Sequence, residues 1–399
     1  MKPSDPILAW ARARQFETTQ MIRAMVEYES PSDDPAAVNR FVDMFSDIAA
    51  SFAKIKHVPG GRYGKHLLCE FTLPGKKKSG QILALGHSDT VWPLGTLAHM
   101  PFQEKDGRLW GPGVLDMKGG IAFFFFAAWA LRDLDIPVAG KVVLQLNSDE
   151  EVGSHSSRAL TEKQAKASHT VLVLEPGTGL AGKLKTARKG VGDYRVTVRG
   201  RASHAGVDFG AGASAIVELA RQIATIASFT DERRGITVNP GVISGGTRSN
   251  VIASHAEAHV DVRILKLKDA PALDRKFQKL KPSDRRCTIE VTGGLNRPPM
   301  ERTAQIAQLF RKARMLGHEL GVTVEESSTG GGSDGNFTAA LGVPTLDGLG
   351  AVGEGAHALN ESLLIDRMAD RTALIAKLLS APPEHYDSGA SRRPRPLIR

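Results

Sequence analysis

Cysteine is nearly absent: the 399 residues hold only Cys69 and Cys287, far apart and in no metal-ligand spacing. Thiolate-based structural zinc is therefore not expected. Two free, buried thiols fit better than a disulfide and agree with a reducing, cytoplasmic setting. Long apolar runs are missing as well. No stretch approaches the ~18 uninterrupted apolar residues of a membrane span. The richest run, Ile121–Leu131 with Phe123–Phe126, is shorter and reads as a buried core helix. The first residues, MKPSDPILAWARARQ, carry charge too early and lack a sustained apolar core, so they do not read as a signal peptide. There is no internal repeat. A nucleic-acid footprint would need Lys and Arg clustered with aromatics on one face. The +9 net charge is instead partly local, in the loop Lys76–Lys78 and in Arg392, Arg393, Arg395 and Arg399 of a Pro-rich tail. No nucleic-acid partner and no membrane partner are expected, although a basic surface can still attract small anions.

What the chain does have is length and glycine. Its 399 residues exceed what one core usually needs, which points to two domains. Many of the 41 glycines stand in short clusters beside acids or histidines. That suggests tight loops around a site, because glycine alone tolerates positive φ and close backbone approach cheaply.

An amphipathic helical pattern covers about residues 9–29. Apolar strands follow at Leu67–Leu73, Ile82–Leu85, Val142–Leu146 and Val171–Leu174, with helices at Gly119–Leu134 and Ser157–Lys166 between them. Unrelieved apolar strands alternating with helices predict an α/β fold, a mainly parallel sheet covered by helices. From about Gly190 the pattern changes to strands with one buried face, such as Tyr194, Val196 and Val198, and later Ala258, Val260, Val262 and Ile264. The order β-α-β-β-α-β over this stretch is the ferredoxin-like signature. The chain thus divides into a body at 1–183 and 298–381, an α+β insert at 184–297, and a basic tail at 382–399 expected to be disordered.

Chemistry-bearing residues gather where apolar strands end. His87, in GHSDT, directly follows one strand, the place where α/β sheets put ligands. Asp89 is close enough to orient its ring; a hydrogen-bonded loop histidine would look the same. Asp116 is presented by the Gly- and Pro-shaped GPGVLDMKGG, where an N-cap aspartate is the plainer alternative. Asp149, Glu150 and Glu151 follow another strand, and three adjacent acids are costly unless solvent or a cation offsets them. Glu175 closes a further strand, and His357 sits among glycines in AVGEGAH. Acids and imidazoles converging on one sheet edge form a zinc-like ligand inventory.

These segments, GHSDTV, GPGVLDMKGG, NSDEEVGS, VLEPG, GRASHAG, GGGSDGN and GEGAHALNE, resemble in content and order the two-zinc superfamily of glutamate carboxypeptidases, aminoacylases and succinyl-diaminopimelate desuccinylases. The branch most resembled is the glutamate carboxypeptidases. The resemblance implies two zinc ions per subunit, one held by His87 and Glu175, the other by Glu151 and His357, with Asp116 bridging. Cobalt or manganese can occupy the same ligands. It implies Asp89 behind His87, Glu150 as general base, a homodimer formed through the insert, and His204 reaching the partner's active site. It further implies substrate contacts from Asn250, Arg263 and Arg297, arginine being suited to a carboxylate. Gly332, in the loop Gly330–Asp334, adds backbone N–H donors. One departure is Ala253, where the family often has proline after Asn-Val-Ile.

The expected activity is hydrolysis of an amide or peptide bond that releases a C-terminal amino acid, glutamate first among the candidates. The substrate would be a small carboxylate-bearing peptide or N-acyl amino acid. Deacylation of N-acyl amino acids is the competing reaction, and a non-catalytic dimeric binding protein the competing class.

Overall fold

A computed structural model describes residues 5–76 and 78–381. The 382–399 tail and Lys77 of the Lys76–Lys78 loop lie outside the described residues. A central six-stranded sheet runs in the order Ala53–Pro59, Lys65–Phe71, Lys141–Asn147, Gln81–His87, Thr170–Val173, Thr345–Leu346. The first two pairings are antiparallel and the remaining three parallel. The four expected apolar strands are all present; two are longer by residues at both ends, whereas Lys65–Phe71 and Thr170–Val173 start and end earlier than expected. An edge strand at Ala53–Pro59, half exposed along its length, joins them.

The helix Gly119–Asp133 packs on this sheet with Phe123, Phe124, Phe125 and Phe126 all buried. By length and composition the segment Val114–Asp133 could cross a membrane, yet 89 % of its most apolar window is buried inside the fold. Close approach is what lets it sit there. A side chain at Gly120 would place its Cβ 2.1 Å from the Leu174 carbonyl oxygen, so the helix start abuts the strand end that carries Glu175. The single helix expected at 9–29 is instead two, Pro6–Ala13 and Gln15–Glu27. They meet at Arg14, whose guanidinium stacks over Trp10 and pairs with Asp133.

The second sheet is antiparallel throughout, in the order Thr237–Gly245, His255–Ile264, Gly190–Arg199, Thr288–Arg297. With the helices Ala215–Ala227 and Ala270–Gln278 it forms the ferredoxin-like insert. Its core, drawn from residues 194–287, is separate from the large core drawn from residues 7–184 and 309–379. Tyr194 and Phe277 stack at its centre with ring centroids 3.9 Å apart. Its last strand, Thr288–Arg297, runs to the end of the insert with a register shift between Leu295 and Arg297. That end places the Arg297 side chain against Glu150 and Asp334 of the body. Both cysteines are buried and free.

Candidate active site

The parallel register lines up the C-terminal ends of the strands. His87 pairs with Asn147, and Leu85 pairs with Val173, two residues before Glu175. The turn after Asn147 carries Glu150 and Glu151 to the same edge. The Gly-shaped loop before Gly119–Asp133 brings Asp116, and a loop in which His357 takes φ +63° brings the last imidazole.

Asp116 stands at the centre. Its Oδ1 lies 3.2 Å from His87 Nε2 and its Oδ2 lies 3.3 Å from His357 Nε2. His87 Nε2 is also 3.7 Å from Glu175 Oε1, and His357 Nε2 is 3.3 Å from Glu151 Oε1. One carboxylate therefore faces two imidazoles, each with a further acid beside it. Ligand-type atoms of His87, Asp116 and Glu151 all lie within 4.8 Å of one another, as do those of His87, Glu150 and Glu175.

The electrostatics are those of an acid-rich, largely buried site that opens to solvent at His357. The carboxylates of Asp116 and Glu151, each 3.3 Å from its Nε2, raise the His357 imidazole to about 10. His87 is pushed down by burial, but Asp116, Asp89 and Glu151 outweigh this and leave it well above the usual histidine range. Burial lifts Glu175 to about 7 and Glu150 well above the carboxylate range. Protons on these groups are what a bound cation would displace. Among the described residues the buried Glu151 Oε1 has only the His357 approach at 3.3 Å, which falls short of hydrogen-bond geometry, and a cation would satisfy it. Nitrogen and carboxylate donors of this kind suit zinc, cobalt or manganese. The five residues expected to hold metal fit that role.

Asp89 is placed differently from the expectation. The His87 Nδ1 contact at 2.8 Å is to the Asp89 backbone carbonyl, whereas its carboxylate oxygen stands 3.6 Å away. That carboxylate instead accepts the amide N–H groups of Glu150 and Glu151, each at 3.2 Å, and the Ser32 hydroxyl at 2.7 Å. It orients the ring through its backbone and the acidic turn through its side chain.

Arg297 is buried and engaged. Its Nη2 donates to the Glu150 carboxylate at 3.0 Å, to the Glu150 carbonyl at 2.8 Å and to Ser154 Oγ at 2.9 Å, while Nη1 is held by Asp334. Arg263 clasps Asp261 with Nε and Nη2 and donates to the Gly330 carbonyl at 3.2 Å. Arg263, Arg297 and Gly332 line a cavity of about 360 Å³ beside Glu150 and Glu151. His204 and Asn250 do not line it. They lie exposed and side by side in the insert, where the His204 ring accepts the amides of Gly206 and Val207, each at 3.1 Å.

The sequence reading missed three supporting residues. Arg188 donates to both oxygens of Asp347 at 2.8 Å and to Glu175 Oε2 at 3.4 Å. Asp334, within the quoted GGGSDGN, anchors Arg297. Glu361, within GEGAHALNE, receives the Asp116 loop. The last two stand in segments that carry the family resemblance, and that position is the one signal by which the sequence pointed to them.

Residues 83–381 match the model of peptidase family M20/M25/M40. The chain belongs to that family. Carboxypeptidase G2 of Pseudomonas sp. strain RS-16 is 32 % identical over 281 residues, spanning 69 % of this chain and 67 % of that protein. Among solved structures, the aminopeptidase PepT of Bacillus cereus superposes with a TM-score of 0.74 at 22 % identity, covering 92 % of this chain and 98 % of that one. The YxeP protein of Bacillus subtilis, a dinuclear metal-binding peptidase of the M20 family, gives 0.66 at 15 % identity over 92 % and 98 %. The M20 chain is thus a metallopeptidase with an α/β body and a ferredoxin-like insert, and its resemblance to the glutamate carboxypeptidases holds.

Proposed function

We propose that this M20 metallopeptidase hydrolyses an amide or peptide bond to release a C-terminal amino acid, with glutamate the leading candidate. The observation that carries the reading is Asp116, whose two oxygens face His87 and His357 separately. In this reading His87 and Glu175 hold one cation, Glu151 and His357 the other, zinc first among the candidates, and Asp116 is shared. The bound pair would supply Lewis acidity to the amide carbonyl and acidify a water.

Glu150 remains outside the His–Asp contacts and serves as the general base. It takes a proton from water and returns it to the leaving amine. Burial favours its protonated form, Arg297 favours the charged one, and the balance suits a group that must both accept and release a proton. Arg263 at the cavity wall is the receptor for the substrate carboxylate, which would take over the guanidinium fork that Asp261 holds in the substrate-free chain. The kinship with carboxypeptidase G2 supports a small peptide or N-acyl amino acid as substrate.

The insert would complete the site in a homodimer. Among the described residues its edge strand Thr237–Gly245 is unpaired on one side; it exposes Val242 and Ile243, and the neighbouring helix exposes Ile216 and Val217. A second copy on this face would bring in its His204 to stabilise the oxyanion.

The test is to profile the amino acids released by the zinc-loaded enzyme from a panel of N-blocked and dipeptidyl substrates. Release of glutamate supports the reading; turnover of acyl amino acids without peptides would favour a deacylase. Glu150→Ala is expected to keep both metals and lose ~10²–10⁴ in kcat. A variant that stays active overturns the assignment of the base.

A further inference from the structure

Glu361 is an acid without a task in the chemistry described so far. It follows His357 in the same loop and is fully buried, at 0 % exposure. Each of its oxygens accepts two N–H groups. Oε1 takes the amides of Leu115 at 2.9 Å and Asp116 at 3.0 Å. Oε2 takes the amide of Gly113 at 3.0 Å and the Trp92 indole at 2.7 Å. The Glu361 backbone carbonyl accepts the Gly111 amide at 3.4 Å as well.

These donors belong to the segments that carry the ligand residues. Trp92 lies just beyond His87, the three amides form the loop that presents Asp116, and Glu361 shares a loop with His357. One carboxylate therefore joins all three. The Asp116 backbone, at φ −115° and ψ 92°, is not helical, so no helical ladder holds its N–H. Among the described residues Glu361 forms no ion pair, and its direct contacts are N–H donors, with the Lys118 ammonium acting on it only at longer range. Four donors on two oxygens require a carboxylate: a glutamine has one acceptor oxygen and would turn its own N–H₂ toward two donors.

We infer that Glu361 is the positioning residue of the metal centre, its carboxylate fixing Asp116 between His87 and His357. The inference rests on the ligand reading above. It differs from a merely stabilising role because it concerns where the Asp116 oxygens point, not only whether the loop folds.

The test uses the full chain, stripped of metal and titrated with Co²⁺ by calorimetry and by its visible d–d spectrum. The unsubstituted protein should take up two ions. Glu361→Gln should bind at least one of them ~10–100-fold more weakly, as loss of a partner behind a ligand typically does, with an altered spectrum. Its kcat should fall while KM changes little. Glu218→Gln is the control. It removes a similarly buried carboxylate that accepts backbone N–H groups, but within the insert, and should lower the melting temperature without moving cobalt affinity or spectrum. Should Glu361→Gln fail to fold, Glu361→Asp, which keeps both acceptor oxygens, carries the same readouts and should fall between the two. A folded variant of either kind with unchanged cobalt affinity and spectrum overturns the inference. Uptake of fewer than two ions by the unsubstituted chain would overturn the ligand reading instead.

Discussion

Arg297 grips Glu150 twice with one nitrogen, Nη2 donating to the carboxylate at 3.0 Å and to the backbone carbonyl at 2.8 Å. The arginine ends the last strand of the insert, whereas the glutamate opens a turn of the body. The orientation of the proposed base is therefore set from the other sheet.

Asp334→Asn weakens that grip without touching substrate. It is expected to lower kcat by about tenfold or more, with a smaller change in KM, since displacement of a catalytic group is felt in the chemical step. Steady-state kinetics on paired substrates with a free or an amidated α-carboxylate provide the check. A loss confined to KM for the free carboxylate would make Arg297 a substrate receptor instead.

Arg188 is 3 % exposed and Asp347 0 %, and they form a two-bond pair beside Glu175. Arg188→Met leaves the buried Asp347 without the cation that contacts it, with Lys185 the remaining charge nearby, a change that typically costs ~3–5 kcal/mol. Urea denaturation of the metal-free protein should show a loss of this size; one below ~1 kcal/mol would mean that the pair is not desolvated as drawn.

Glu218 supplies a pH-dependent tie within the insert. Burial pushes its carboxyl up, but the Ser283 amide, the Gln222 side chain and the Asp284 amide outweigh burial and hold it below its ordinary 4.5. A carboxylate lowered in the folded state adds stability above its unfolded pKa, and that contribution fades as pH falls through the folded value. The melting-temperature gap between the unsubstituted protein and Glu218→Gln should be widest near neutral pH and shrink below about 4.5. A gap that is constant from neutral to acid would exclude the ionised carboxylate as its source.

Ile243, 56 % exposed on the unpaired edge strand, tests the proposed dimer. Ile243→Glu places a charge where a second edge would dock, as exposed strands often do to prevent pairing. Sedimentation should shift to monomer, and turnover should fall by ~10²–10³ for want of the partner's His204, while cobalt binding stays intact. An active monomer would remove His204 from the chemistry.

The sequence by itself determined the strands, the insert and the residues of the metal-like cluster. Apolar runs specify buried parallel strands, and parallel strands align their C-terminal ends, so acids and histidines placed just after Leu85, Leu146 and Leu174 are bound to meet at one edge. Only the tertiary structure decided what holds those residues in place. Glu361 and Asp116 stand 245 residues apart, Asp347 and Arg188 159, Arg297 and Glu150 147. Local periodicity encodes which side chains are buried, but not which buried polar group meets which. That pairing follows from how the strands, loops and insert pack, because each desolvated charge must find its partner in the space that packing leaves.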